Sequence, residues 1–215
     1  MRVLAIETST RVGSVALLQG DECLVKTGSV DARHGDTVLP MVQAVLAEAA
    51  LNLSDVSLIA AGTGPGSFTG ARIALAVAKG LAVGAGHPLV GVGSLCALAR
   101  GVGQSRVAVA MDAGRGQLYG AAYAFESEGP AVELHEPFEC APEAFWERLG
   151  LARDVAIAGT AFERFDVLRA DVGHTAPSAR DVALEARLRF KVNGPDSLHE
   201  LEPRYVRPSD AKLPA

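Results

Sequence analysis

The sequence predicts an α/β protein of two related lobes, each built on a mixed sheet flanked by helices, the second lobe reduced. Three observations predict it. Strand-length apolar runs alternate with longer runs of helical spacing through the first half of the chain. A second start, RVAVAMDAGRGQLYGAAYAF from position 106, repeats the form of the opening RVLAIETSTRVGSVALL. A glycine-rich stretch, GTGPGSFTG from position 62, joins a strand to a helix. The 215 residues, 49% of them apolar, allow one large domain or two small lobes with a substantial core.

The elements follow in order. RVLAIE (2–7) and GSVALLQ (13–19) read as buried strands joined by a turn at TSTRV, and ECLVKTGSV (22–30) as a third strand. GDTVLPMVQAVLAEAA (35–50) places Val38, Leu39, Val42, Val45, Leu46 and Ala49 at helical spacing, with Pro40 tolerated near its start. VSLIAAGTG is a strand running into the glycine loop, TGARIALAVAKGLAVGA a helix, PLVGV a strand and SLCALARGV a helix. From 106 the pattern begins again. Shifted by 105 residues, Glu7 falls on Asp112, Ser9 on Gly114 and Leu17 on Ala122, which indicates an internal duplication. AVELHEPFE and DVAIAG read as strands, APEAFWERL and SARDVALEARLRF as helices, and LEPRYVRPSDAKLPA as a tail. The lobes are expected at 1–103 and 104–215.

A net charge of −5 argues against a protein that grips nucleic acid unaided, because phosphate neutralisation needs clustered Lys and Arg. Cys23, Cys96 and Cys140 are odd in number and widely spaced, so neither a disulfide framework nor a metal site is expected; they read as buried structural thiols of a reducing cytosol. The opening apolar run is too short for a signal peptide and meets Glu7 at once. Lys79, His87 and several glycines interrupt the other apolar stretches, and no membrane span is expected. A soluble, cytoplasmic protein follows.

The glycine loop has two readings. As a phosphate cradle it lacks the P-loop Lys: the fifth residue after Gly64 is Thr69 and after Gly66 is Ala71, and no Lys follows these glycines until Lys79. The dinucleotide pattern fails too, with Ser67 or Thr69 where its last glycine belongs. As the head of a packing helix it fits better. Ala71, Ala74, Ala76, Ala78, Gly80, Ala82, Gly84 and Ala85 surround an axis whose large residues, Ile73, Leu75, Val77, Leu81 and Val83, keep to no single stripe. A helix apolar all round must be covered all round, by a partner on one side or by sandwiching within the chain. Ser67 or Thr69 caps it. The expected interface is Gly64, Pro65, Gly66, Ser67, Phe68, Thr69, Arg72, Ile73, Ala74, Ala76, Val77, Lys79 and Gly80, with Arg72 and Lys79 as a rim. A bulky charge at Ala74 or Ala78 is expected to sever the partner and leave the chain folded.

The search for catalytic residues returns little. His34, His87, His135, His174 and His199 include no pair at i, i+3 or i, i+4. His34 reads as a capping or surface residue and His87 as a loop residue. No G-x-S-x-G elbow exists, and Cys96 has no base near it in sequence. The acids that end the two opening strands, Glu7 (followed by Thr8 and Ser9) and Asp112, stand out. Duplicated lobes opening on an acid-bearing hairpin resemble the actin, sugar-kinase and Hsp70 architecture, whose cleft holds a nucleotide and whose acids hold its metal. Here the first acid is a Glu and its turn is not glycine-rich at the tip. A vestigial cleft without ligand and a working nucleotide site both stand at this point.

Four segments then resemble one family: LAIETSTRVGSVALL, HGDTVLPMVQAVLAEA, GTGPGSFTGARIALAVAKGLA and PLVGVGSLCALA are similar, in that order, to the TsaB proteins of bacterial threonylcarbamoyladenosine modification of tRNA, formerly grouped with glycoprotease homologues. MDAGRGQLYGAAY and PRYVR match more loosely. The resemblance implies an actin-like (ASKHA) two-lobe fold. It implies a non-catalytic scaffold of the complex that adds threonylcarbamoyl to N6 of adenosine 37 in tRNAs reading ANN codons. Its partners would be a TsaD-like catalytic subunit and a TsaE-like ATPase, with homodimerisation when alone and tRNA met only through the complex. By the same resemblance the helix after GPGSFTG is the dimer face. The catalytic relative's His-x-x-x-His metal pair falls here on Ser94 and Leu98, so no metal, no catalytic residue and no cofactor is implied; ATP or ADP at the joint with TsaD stays open. The rival is a small ATP-dependent kinase or carbamoyl transferase using Glu7 and Asp112, separable by titrating the isolated chain with Mg-ATP.

Overall fold

The computed structural model describes residues 1–29, 37–126, 128–151, 155–165 and 176–207. Strands β1 (Arg2–Glu7), β2 (Val12–Gln19) and β3 (Glu22–Ser29) form an antiparallel meander in which Glu7 pairs with Ser14. Helix α1 (Val38–Glu48) and a 3-10 turn, Leu53–Asp55, lead to β4 (Leu58–Gly62), which lies parallel to β1. Helix α2 (Phe68–Ala85) then crosses to β5 (Leu89–Val92), parallel to β4. The sheet order is β3-β2-β1-β4-β5. Strands β4 and β5 are buried along their whole length, and β1 along all but its first residue. That is why they read as unbroken apolar runs rather than alternating ones. One face of the sheet packs Leu4, Ile6, Leu17 and Ile59 against Val42 and Val45 of α1 and Ala74, Leu75 and Ala78 of α2.

Among the described residues the second sheet repeats the first without a counterpart of β5. Strands β6 (Arg106–Gly114), β7 (Gln117–Ala124), β8 (Val132–Cys140) and β9 (Ala156–Ala158) take the order β8-β7-β6-β9, with the first three antiparallel and β9 parallel to β6. The bounds of β2 shifted by 105 residues are those of β7, so the internal repeat read from sequence is an architectural one. Register shifts separate the copies: β6 shifts against β7 between Asp112 and Gly114, and β7 against β8 between Gly120 and Tyr123, whereas β1, β2 and β3 pair without interruption. Two short helices flank this sheet. The predicted helix at 141–149 divides into a 3-10 turn, Pro142–Ala144, and α4 (Phe145–Leu149). Helix α5 (Ala161–Arg164) was not anticipated.

Helices α3 (Ser94–Val102) and α6 (Ala179–Asn193) fill the space between the sheets. One core runs from Val3, Ala5 and Val90 through Leu95 and Leu98 of α3 and Val182 and Ala186 of α6 to Val107, Ala121 and Tyr123. Although α6 lies past the expected boundary at 103/104, it packs on β1 and β2 of the first sheet, and Ser14 Oγ accepts a hydrogen bond from Ala179 N at its start. Of the three cysteines only Cys96 is fully buried; Cys23 and Cys140 are half-buried, contrary to expectation, because both sit on outer strands. Helix α2 is, by length and composition, long and apolar enough to cross a membrane, contrary to expectation, because only Arg72 and Lys79 are charged in it. One of its faces nevertheless packs into the core. His34 and His174 lie outside the described residues.

Candidate partner face and the glycine loop

The glycine loop is filled by its own chain. Ser67 N donates to Ser9 O at 2.7 Å, and Thr8 Oγ1 donates to Gly70 O at 2.6 Å. A Cβ on Gly66 would stand 2.4 Å from Ser9 O, and one on Gly70 1.8 Å from Thr8 O. A Cβ on Gly62 would stand 2.0 Å from Glu7 Oε2. These glycines therefore admit the β1–β2 turn against the loop. Three of its amides are taken: Gly64 N donates to Ser94 Oγ, Ser67 N to Ser9 O, and Gly70 N to the capping Ser67 Oγ.

Glu7 is fully buried beneath this loop, and Thr8 and Ser9 are buried beside it. Glu7 Oε1 accepts from Ser9 N at 2.6 Å, and Oε2 accepts from Ser94 Oγ at 2.9 Å. Burial pushes its carboxyl above the usual carboxylate range, against the opposing hydrogen bonds from Ser9 and Ser94. Ser94, which stands where the resemblance puts a metal-binding histidine, is wholly engaged: its N donates to Gly64 O at 2.7 Å while its hydroxyl joins Gly64 N to Glu7. Leu98 is buried in the core. Asp112 repeats the arrangement of Glu7 in the second hairpin. Its Oδ1 accepts from Gly114 N at 2.8 Å, two residues on, as Glu7 accepts from Ser9. Its second oxygen pairs with Arg164. Each acid is thus satisfied within its own surroundings. Among the described residues no group of three or more His, Cys, Asp or Glu is placed to hold a metal ion.

Helix α2 has two distinct faces. Gly70, Ala71, Ala74, Leu75, Ala78 and Ala82 are buried against the sheet. Thr69, Arg72, Ala76, Gly80, Val83 and Gly84 are exposed, and Ile73, Val77 and Lys79 are half-buried between. This corrects part of the expected interface. Ala74 has no exposed surface because it faces β4, and Gly64 and Pro65 are buried in the loop. A charge at Ala74 or Ala78 would strike the core rather than a partner. Ser67, Phe68, Thr69, Arg72, Ala76 and Gly80 are open to one.

One residue of this face escaped the sequence reading. Tyr205 stacks on Phe68 with ring centroids 5.3 Å apart, and Arg72 Nε donates to its hydroxyl at 2.8 Å. The Arg72 guanidinium lies 3.7 Å over the Phe68 ring. Phe68 and Tyr205 remain 47% and 48% exposed. The segment carrying Tyr205 runs from α6 along β5, where Asp196 Oδ2 accepts from Gly91 N, and past β4, where Arg204 N donates to Thr63 O. It ends on β8 through Arg204 with Glu133 and Arg207 with Glu139. The motif PRYVR was the only signal of it in the sequence.

The family model for TsaD, tRNA N6-adenosine threonylcarbamoyltransferase, matches residues 28–134. The tRNA threonylcarbamoyladenosine biosynthesis protein TsaB of Escherichia coli is 33% identical over 228 residues, spanning 100% of this chain and 99% of its own. The protein of the same name from Haemophilus influenzae is 37% identical over 123 residues, 55% of this chain and 52% of its own. The structure of YeaZ from Pseudomonas aeruginosa is similar with a TM-score of 0.83 at 31% identity, covering 95% of this chain and 99% of that one. A second Pseudomonas aeruginosa structure, described as an uncharacterized protein with similarity to peptidase YeaZ, gives a TM-score of 0.84 at 32% identity over 96% of this chain and 99% of its own.

Proposed function

The chain belongs to the TsaB family of tRNA threonylcarbamoyladenosine biosynthesis proteins and has its actin-like fold, and from that premise we propose that it is a non-catalytic scaffold subunit which docks on a TsaD-type transferase through the exposed face of α2. The observation that carries this reading is the pair Gly80 and Gly84. Both lie inside a helix, where glycine costs about 1 kcal/mol relative to alanine. A Cβ on either would meet nothing within 4 Å. The chain itself gives no reason for their bareness, whereas a neighbouring helix approaching along Ala76, Gly80 and Gly84 would. Exposed Val83 and Phe68 extend the same surface.

The transfer chemistry in this proposal belongs to the partner. Glu7 is spent on Ser9 and Ser94, and Ser94 and Leu98 offer no metal-binding pair. The chain acts by favouring one arrangement of the transferase through differential contact. A second copy occupies the face when the partner is absent, a TsaE-type ATPase joins the assembled pair, tRNA is met through the assembly, and any nucleotide sits at the joint.

The test is co-purification with the transferase. Ala76→Arg and Gly80→Arg should keep the melting temperature of the chain and lose the transferase, while Ala74→Arg should fail to fold. Undiminished capture by the folded Ala76→Arg protein would overturn the reading.

A further inference from the structure

At the polar end of the α2 face the side chain of Arg72 is held in one orientation. Three features describe it. Its guanidinium is stacked on Phe68, which fixes the plane of the group. Its Nε edge is occupied by the Tyr205 hydroxyl, which fixes the rotation within that plane. Its remaining edge, Nη1 and Nη2, bonds to nothing among the described residues, and the side chain is exposed. A planar fork held in one orientation with two parallel donors free is the geometry that takes a carboxylate through two bonds at once.

Tyr205 is itself anchored. Arg204 before it grips Glu133 with both terminal nitrogens, and Arg207 after it pairs with Glu139, so the hydroxyl that aims Arg72 is tied to β8. An arginine left free to sample rotamers would lose side-chain entropy on binding; this one has already been ordered by the fold.

The charge of the surface selects the occupant. From Phe68 to Ala85 the helix contains Arg72 and Lys79 and no acidic residue. A second copy laid against it would bring its own cations and no helical carboxylate. Resting on the reading of α2 as the docking face, we propose that the favoured occupant is a different chain that presents an aspartate or glutamate side chain to Arg72, and that this contact sets the preference for that chain over self-association.

The experiment measures affinity for the purified transferase partner, with the self-association constant beside it, for wild type, Arg72→Gln, Arg72→Lys, Tyr205→Phe and Ala76→Arg. Arg72→Gln should weaken hetero-association about tenfold to a hundredfold, the scale of a lost charge-assisted pair. Its dependence on salt should flatten, and self-association should change little. Arg72→Lys keeps the charge without the fork and should recover only part of the loss. Tyr205→Phe keeps the ring and loses the aiming hydroxyl, giving a smaller loss of the same sign. All of these positions are on the surface, so melting temperatures should match wild type. If Ala76→Arg abolishes binding while Arg72→Gln binds the transferase as wild type, the carboxylate receptor is wrong and the docking face stands. If neither changes binding, the docking face is wrong. Equal weakening of hetero- and self-association by Arg72→Gln would overturn the claim of partner preference.

Discussion

Glu7 and Ser94, at the ends of the first strand and at the start of the third helix, share a 2.9 Å hydrogen bond with no exposure to solvent. The same hydroxyl accepts from Gly64 N at 3.1 Å. One small side chain therefore fastens the strand-end acid to the glycine loop. Ser94→Ala would leave Gly64 N and Glu7 Oε2 each short of a partner in a place water does not reach. The expected cost is about 1–3 kcal/mol of unfolding free energy, read from urea melts. A cost near zero would mean that the bond contributes nothing to the fold.

The raised carboxyl of Glu7 gives stability a definite slope with pH. Burial lifts its folded value above the ordinary one. The stabilising contribution is complete at pH values below the ordinary carboxylate value, where both states hold the proton. It is lost as pH rises through the folded value, because the unfolded chain releases the proton first. Glu7→Gln cannot titrate. The difference in unfolding free energy, variant minus wild type, should therefore grow with pH above the ordinary glutamate value of about 4.3, at up to about 1.4 kcal/mol per pH unit, and then level off. A difference that is flat with pH would show that Glu7 is ionised in the fold at no cost.

What the sequence made legible and what it hid divide along a physical line. The acid-ended hairpins, the cap at Ser67 and the extent of α2 are local, and short-range spacing reports them. The orientation of α2 is not local. A helix apolar on all sides has no stripe to show which side the sheet covers, so Ala74 and Ala76 looked equivalent until β4 was in place beneath Ala74. Tyr205 is 133 residues from Arg72, and no periodicity links them. Helix α6 carries the pattern of an ordinary amphipathic helix, and its return to the first sheet depends on the gap that the two sheets leave between them.

The glycines of the loop and helix should respond to alanine with opposite signs. Gly66→Ala and Gly70→Ala drive a methyl into Ser9 O and Thr8 O. They should destabilise the chain by several kcal/mol, to the point of misfolding, because the obstacle is backbone. Gly80→Ala and Gly84→Ala meet open space and should raise stability by about 0.5–1 kcal/mol each. The same two variants should weaken capture of the partner, since the methyl occupies the line along which another helix approaches. Stabilisation with unchanged capture would place the partner elsewhere on the chain.

The last expectation concerns what holds the two sheets together. Glu185 on α6 is 1% exposed and accepts two bonds from Arg100 on α3, from Nε at 2.8 Å and Nη2 at 2.5 Å. Its other oxygen accepts from Ala131 N at 2.9 Å, and Arg100 also reaches Gly129 O and lies 4.3 Å over the Phe125 ring. One ion pair thus joins both inter-sheet helices to the β7–β8 connection. Removing one partner strands the other: Glu185→Ala leaves a guanidinium with little solvent and Ala131 N unpaired, and should cost about 3–5 kcal/mol. Removing both is different in kind. Arg100→Met with Glu185→Met replaces two desolvated charges by apolar volume beside a cleft already lined by Leu184 and Leu188, and should recover most of that loss. A double-mutant cycle by chemical denaturation measures the coupling directly. Strong coupling with a stable double variant would show that the pair specifies how the sheets meet without being their main adhesive. A double variant as unstable as Glu185→Ala would show instead that the pair's hydrogen bonds to 129 and 131 hold the sheets, and that apolar contact between α3 and α6 is too weak to replace them.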